Sequence, residues 1–217
     1  MSLGAQAMCG TAGAPQTPPP LVALPPAPPR YDAPSCWGTN GAGQFANGSA
    51  AGSRLAPTNV SSTVWQQISL SDTTACGIQR GVLALYCWGT DYGWGSLGDG
   101  TATSHYVPLQ VSGGGQWNSV FAGSSWGCGI RTNGSLYCWG YNRYGSVGDG
   151  TTPNRWTPVL VTSTVTWTTL PLRGYSGFFT CGIQTDSSLW CWVRAVRSTS
   201  WARLQCGWTR VEFGCVP

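Results

Sequence analysis

Apolar residues in this chain come in short runs rich in Val, Leu, Ile, Tyr and Trp, and each run is cut by Gly, Asn, Asp or Pro. Thr157-Pro158-Val159-Leu160-Val161 and Ser119-Val120-Phe121-Ala122 have the length and the β-branched and aromatic content of strands. Thr132-Asn133-Gly134 has the composition of a hairpin turn. Nowhere do apolar residues return with helical period over a dozen positions. The pattern predicts an all-β chain of small units, each with about four short strands.

The unit repeats. Cys-Trp-Gly stands at Cys36, Cys87 and Cys138, and Cys-Trp returns at Cys191, at spacings of 51, 51 and 53 residues. Cys-Gly-Ile stands at Cys76, Cys128 and Cys181, spaced by 52 and 53. Two motifs in phase at one period define a repeat architecture. Four-stranded units of roughly 40–50 residues that cannot bury their faces alone are the signature of β-propeller blades. The competing architecture is a stacked β-solenoid, whose coils are usually shorter than this period.

In each unit a Cys-Gly-Ile cysteine precedes a Cys-Trp cysteine by 10 or 11 residues: Cys76 and Cys87, Cys128 and Cys138, Cys181 and Cys191. With Thr132-Asn133-Gly134 as a three-residue loop and Gly134 left-handed, Arg131 faces Ser135 and, counting outward, Cys128 faces Cys138. A four-residue loop, Arg80 to Leu83, does the same for Cys76 and Cys87. Directly opposed hairpin cysteines can close a disulfide. Zinc is the rival reading, and it lacks C-x-x-C pairs and spare His at zinc spacing. Disulfides place the mature chain in an oxidising compartment, secreted or lumenal. Sequons at Asn47, Asn59 and Asn133 agree and are candidate glycosylation sites. The partners of Cys9, Cys36, Cys206 and Cys215 stay open.

Residues 1–35 are dominated by Ala, Gly, Gln, Thr and Pro, with Pro18-Pro19-Pro20, Pro25-Pro26 and Pro28-Pro29. Such a run favours extended polyproline II and predicts a disordered, semi-rigid linker; a ligand for a proline-reading domain is the functional alternative. Residues 36–192 hold the repeats, and residues 193–217 form a divergent Arg-containing tail. No basic segment followed by an apolar one opens the chain, so no secretory leader is visible.

Only 8% of the residues are charged, against roughly 25% in an average soluble domain. All basic residues are Arg; Glu212 is the one Glu and His105 the one His. General acid and base catalysis draws on His, Glu, Asp and Lys. The composition therefore disfavours an enzyme, and no catalytic residue, metal site or cofactor is assigned. The net charge is +4, with no basic stripe through the repeats of the kind nucleic-acid binding requires. No apolar run of 18 or more residues spans a membrane.

Gly98-Asp99-Gly100-Thr101 and Gly148-Asp149-Gly150-Thr151 invite a cation or phosphate reading, yet they lack alternating oxygen ligands and a terminal Gly-Lys-Ser/Thr. A tight loop of left-handed glycines, with Asp bonded to its own backbone, accounts for them. Trp37, Trp88, Trp139 and Trp192 recur at one repeat position, and Trp65, Trp117 and Trp167 at another, as blade-packing residues do. The aromatics that do not repeat, Tyr92, Trp94, Tyr141, Tyr144 and Trp156, lie in or beside the loops around Gly-Asp-Gly and are the candidate binding residues. His105 has no nucleophile motif near it and is expected to be an exposed loop residue without a repeat counterpart.

Cys138-Trp139-Gly140-Tyr141-Asn142, Tyr144 to Thr151, Thr157-Pro158-Val159, Cys181-Gly182-Ile183 and Leu189-Trp190-Cys191-Trp192 resemble the regulator of chromosome condensation repeat in its cysteine-bearing form. The resemblance covers Cys36 to Trp192, roughly three repeats, and implies a β-propeller, usually seven-bladed, that serves as a protein-binding platform. The first unit departs from the pattern, with Phe45-Ala46-Asn47-Gly48 in place of Leu-Gly-Asp-Gly; Ser96 and Ser146 replace the usual Gln, and Trp126 and Phe179 stand in the place of a His. No Gly-Trp-Arg-His-Thr run of the light-sensing relatives occurs.

Closed propellers take 4–8 blades. An incomplete propeller of about three recognisable blades is therefore expected: a fragment, or a partial set completed by self-association. Its expected role is non-catalytic protein binding through rim loops outside the cell or in a lumen. Glycan binding on Trp94, Tyr144 or Trp156 is the alternative. A guanine-nucleotide exchange factor or other intracellular regulator follows from family analogy alone.

Overall fold

A computed structural model of the chain describes residues 8–10, 34–162, 164–170 and 180–192. Short strands pair antiparallel with their neighbours in sequence, as in a meander. The first sheet holds β1 (Met8–Gly10), β2 (Ser35–Thr39) and β3 (Ser53–Asn59). Two four-stranded sheets follow: β4 (Trp65–Leu70), β5 (Thr74–Gln79), β6 (Leu85–Gly89) and β7 (His105–Gln110), then β8 (Trp117–Ala122), β9 (Trp126–Arg131), β10 (Leu136–Gly140) and β11 (Arg155–Leu160). The fourth sheet comprises β12 (Trp167–Thr169), β13 (Thr180–Gln184) and β14 (Leu189–Trp192). These are four blades of an open propeller, two complete in the described residues and two three-stranded.

The incomplete propeller expected from the repeats is present, and the first sheet adds to it a strand, Met8–Gly10, from the stretch read as a linker. β1 carries Cys9-Gly10, a reduced copy of Cys-Gly-Ile, and pairs with β2 so that Cys9 faces Cys36 as Cys76 faces Cys87. Cys36 is disulfide-bonded. Residues 11–33 join β1 to β2 where the other blades have a short turn, and that long insertion hid the motif's spacing. The remainder of residues 1–35 and the tail 193–217, with Cys206 and Cys215, lie outside the described residues.

Within a blade the central hairpin is stapled. Cys76 faces Cys87, Cys128 faces Cys138 and Cys181 faces Cys191, and each pair is a disulfide. The turns reach this register by different routes. Gly134 takes φ 83° in a three-residue loop closed by Arg131 N–H donating to Ser135 O at 2.9 Å; Leu83 takes φ 60° in the four-residue loop. The carbonyls of these left-handed residues then accept the first backbone N–H of the next blade, Trp117 to Leu83 and Trp167 to Gly134, both at 2.9 Å.

The core lies between the blades. One apolar cluster joins the second and third through Ile78, Leu85, Leu97, Trp117, Val120 and Trp139 around the Cys76–Cys87 disulfide; another joins the third and fourth through Trp126, Ile130, Leu136, Val147 and Trp192 around Cys128–Cys138. Trp117 lies against Gly129, where a Cβ would come within 2.7 Å of the indole, so the glycine of Cys-Gly-Ile is a seat for the repeat's other tryptophan. β4 adds polar ties to β8: Gln67 Nε2 donates to Val120 O and its Oε1 accepts Val120 N–H, both at 3.0 Å, and Ala122 N–H donates to Ser69 Oγ at 2.9 Å.

The most regular tie is an indole. Trp88 Nε1–H donates to Gln44 O at 2.9 Å, Trp139 to Ser96 O at 3.0 Å and Trp192 to Ser146 O at 2.9 Å, each reaching back into the preceding blade's loop. Trp139 is fully buried. Gly98 makes room for it; a Cβ there would lie 2.9 Å from the ring, at φ 67°.

The outer strands β3, β7 and β11 carry Pro57, Pro108 and Pro158. Proline removes a ladder donor from an exposed edge and blunts it against pairing with other chains.

Trp139→Phe keeps the ring and removes the N–H, leaving the Ser96 carbonyl buried without that donor. Denaturant unfolding is expected to show a loss of about 1–3 kcal/mol; an unchanged midpoint would contradict the role given to the indole bond.

Candidate binding rim

The loops that follow β2, β6 and β10 lie at the blade ends opposite the stapled hairpin turns. One polar side chain organises each, four residues after the Cys-Trp cysteine: Asn40, Asp91 and Asn142, all buried. Asn142 Oδ1 accepts Val147 N–H at 3.0 Å, and its Nδ2 donates to Thr151 O and Pro153 O, both at 3.0 Å. Asn40 repeats the design, accepting Phe45 N–H at 2.8 Å and donating to Ser49 O at 2.8 Å and Ala51 O at 3.2 Å. The shared offset was legible in the chain, but an isolated Asn or Asp gives no sign that it is buried.

Asp91 departs from that pattern. Its Oδ1 accepts the N–H groups of Gly93, Trp94 and Gly95 at 2.9, 2.8 and 3.2 Å, whereas Oδ2 is buried without a hydrogen-bond partner. The carboxylate thereby fixes the backbone that presents Trp94.

The Gly-Asp-Gly-Thr loops are turns. Asp99 Oδ1 accepts Thr101 N–H at 2.8 Å and Asp149 Oδ1 accepts Thr151 N–H at 2.9 Å; the flanking Gly98, Gly100, Gly148 and Gly150 all have positive φ. The second carboxylate oxygen meets a basic side chain, His105 Nε2 at 3.1 Å from Asp99 Oδ2 and Arg155 Nε at 2.6 Å from Asp149 Oδ2. The histidine contact is off hydrogen-bond geometry, since Nε2 has no hydrogen-bond partner. His105 is thus the first residue of β7 and the counterpart of Arg155, which opens β11, and is neither a loop residue nor without a repeat equivalent. In the first blade Ala46 takes φ 58° where the later repeats have Gly98 and Gly148.

Four of the five candidate aromatics come together. Tyr92 lies 5.5 Å from Trp94 between ring centroids, Trp94 crosses the blade boundary to Tyr141 at 5.1 Å, and Tyr141 reaches Tyr144 at 6.2 Å. The ladder is surface-accessible, with Tyr92 58% exposed and the others half-buried. Arg143, exposed between Tyr141 and Tyr144, is a member the sequence reading missed. In the first blade the matching positions, Gly41 and Ala42, bear no ring, so the ladder belongs to the second and third blades.

Trp156 is placed differently. It is 52% exposed on β11, lies against Gly95 of the preceding blade, and its carbonyl accepts Gly100 N–H at 2.9 Å; Tyr106 does the same for Gly43 and Gly48 one blade earlier. Asn47, Asn59 and Asn133 are exposed, and each Oδ1 accepts the N–H two residues on at 3.1 Å. Among the described residues no group of three or more His, Cys, Asp or Glu could hold a metal ion.

Disulfide-stapled four-stranded blades, tied by indole bonds and carrying a loop rim, define the chain as a segment of a β-propeller. Residues 133–169 match the sequence pattern of the Regulator of chromosome condensation (RCC1) repeat, and residues 117–146 match a second pattern of the same repeat. No curated protein matches the chain by sequence. Among solved structures, human WBSCR16 superposes with a TM-score of 0.61 at 16% identity, over 74% of this chain and 43% of that one. Prp20p of Saccharomyces cerevisiae superposes with a TM-score of 0.52 at 20% identity, over 60% of this chain and 34% of that one. Yeast RCC1 (Prp20) bound to Kap60 gives a TM-score of 0.53 at 20% identity, over 60% and 33%. These likenesses show the fold, and the chain spans about a third to two-fifths of the length of those structures.

Two carboxylates make testable differences. Asp91→Asn retains the acceptor and replaces the unpaired oxygen with an amide donor like that of Asn142; thermal unfolding is expected to move up, by about 1 kcal/mol of stability. For Asp149, burial pushes the carboxyl up, but the Thr151 hydroxyl and amide and the Arg155 guanidinium outweigh it and hold the group below its ordinary value. Its folded value is depressed, so its contribution is present above the unfolded value, about 3.9, and is lost as pH falls through the folded value. Asp149→Asn should therefore lower the melting temperature at neutral pH and flatten its decline in acid; parallel curves for the two proteins would refute the assignment.

Proposed function

We propose that the chain is a non-catalytic binding module whose rim, at the second and third blades, engages a protein partner. The ladder Tyr92–Trp94–Tyr141–Tyr144 with Arg143 beside it carries the reading: these rings are absent from the matching loop of the first blade, so the repeat fold does not require them. Tyr, Trp and Arg dominate the energetics of protein interfaces. Proteins of the same fold add support, since Prp20p is described with binding to Gsp1p and histones, and yeast RCC1 with Kap60 bound.

The disulfide staples favour an extracellular or lumenal setting. Exposed Asn47, Asn59 and Asn133 would then be available for glycosylation.

The test is a photo-crosslinking side chain placed at Tyr92, with a second placed at Thr58 on β3 as control. The expected result is a discrete protein adduct from position 92 alone, lost when Trp94→Ser is added. Equal adducts from both positions would overturn the rim assignment. So would a glycan array with strong hits abolished by Trp156→Ala, which would make the module a lectin.

A further inference from the structure

The fourth blade ends in a face that is covered in the two blades before it. In the second blade Cys76, Ile78, Leu85 and Cys87 are at most 1% exposed, and Cys128, Ile130, Leu136 and Cys138 match them in the third. Their counterparts by strand register are Cys181, Ile183, Leu189 and Cys191. These four are half-buried, while Thr180, Gly182, Gln184 and Trp192, on the face toward the third blade, are buried. One side of the sheet is packed and the other is open.

A backbone group is open at the same place. The left-handed Leu83 and Gly134 give their carbonyls to Trp117 N–H and Trp167 N–H. Ser187, at φ 68°, closes the equivalent turn, in which Gln184 N–H donates to Ser188 O at 3.0 Å. Among the described residues nothing donates to the Ser187 carbonyl.

In the earlier blades the cover is the first strand of the next one. Trp117, Val120 and Ala122 of β8 close over the second blade, and Trp167 with Leu170 over the third. A bulge after the tryptophan brings the residues three and five positions beyond it to its own side of the strand. The chain offers this strand once more, beyond the described residues: Trp201, Leu204, Cys206 and Gly207 repeat Trp117, Val120, Ala122 and Gly123 at identical spacing. Cys215 then follows Trp201 by 14 residues, as Cys181 follows Trp167. The likeness stops at Val216, which stands where Gly182 seats its tryptophan, so it supports one strand and not a whole blade.

Eight residues, 193–200, separate Trp192 from Trp201. They span up to roughly 26–29 Å, against about 13 Å for the return along the four residues of β14. A second copy is a poorer occupant, because its first sheet starts at β1, the counterpart of β5, and has no strand like β8 among the described residues. We propose that residues 201–206 of this chain dock as a strand on the open face of the fourth blade, with Trp201 N–H donated to the Ser187 carbonyl and Leu204 and Cys206 over the Cys181–Cys191 hairpin.

Stepwise reduction of the full chain with dithiothreitol, followed by alkylation and mass spectrometry, reads the cover. Docking shields Cys181–Cys191, so in the wild type this disulfide is expected to open no faster than Cys128–Cys138. Leu204→Asp puts a charge at the centre of the contact and should speed opening of Cys181–Cys191 at least about tenfold without moving Cys128–Cys138, since exchange follows access to the sulfur. Ala202→Asp is the control: the matching Gln66, Asn118 and Thr168 are exposed, and no change is expected.

A benzophenone side chain at Leu204 locates the strand, and the expected adduct lies within one chain, on residues 181–191. An adduct between two chains would give the face to a second copy. That result, an adduct to another segment, or a Cys181–Cys191 disulfide that opens well before Cys128–Cys138 and ignores Leu204→Asp would overturn the proposal. The rim reading stands or falls separately, on the crosslink from Tyr92.

Discussion

The contact on which the blades depend is the indole bond from one blade into the loop of the blade before it. Trp88, Trp139 and Trp192 each occupy the space over a glycine-bearing loop and donate to its carbonyl, and the interblade apolar clusters form around them. A single blade exposes too much apolar face to be stable alone, so stacking supplies its core. Ser146 O also accepts the Thr180 hydroxyl at 2.8 Å, whereas the indole is the side-chain donor to the buried carbonyls of Gln44 and Ser96. One residue thus settles spacing, orientation and burial together.

The rim is a consequence of the same loops. Because Asn40, Asp91 and Asn142 tie each loop from within, the exposed positions directly after the organiser can vary, while Ser96, Leu97, Ser146 and Val147 further along serve the packing between blades. In the first blade the variable positions are Gly41 and Ala42; in the next two they include Tyr92, Trp94, Arg143 and Tyr144. Trp94 illustrates the coupling, since its backbone N–H is held by Asp91 while its ring meets Tyr141 of the following blade. The ladder's geometry therefore rests on the packing that the Trp139 indole holds in place.

The disulfides act on the other end. Cys76–Cys87 and Cys128–Cys138 lie inside the apolar clusters, and all three disulfides close a loop of ten or eleven residues across a central hairpin, which restricts the unfolded chain. With few charged residues and short strands, such restriction matters more than in a domain rich in ion pairs. The Asp149–Arg155 ion pair and the contact between Asp99 and His105 close loops.

The chain's periodicity determined much by itself: all-β blades, the pairing of cysteines across each hairpin, and which aromatics belong to the repeat. Those features are local or periodic, and a hairpin's register follows from counting residues outward from its turn. Three things were decided by tertiary structure. The first blade draws β1 from across the proline-rich stretch, which spacing could not reveal because the connecting segment breaks the period. His105 became the partner of Asp99 through strand pairing, and Asp91 was buried by its loop. The ladder formed because neighbouring blades bring Trp94 against Tyr141, residues 47 positions apart in the chain. Sequence marks which side chains are free of the repeat, whereas only the packing of one blade on the next decides which of them meet.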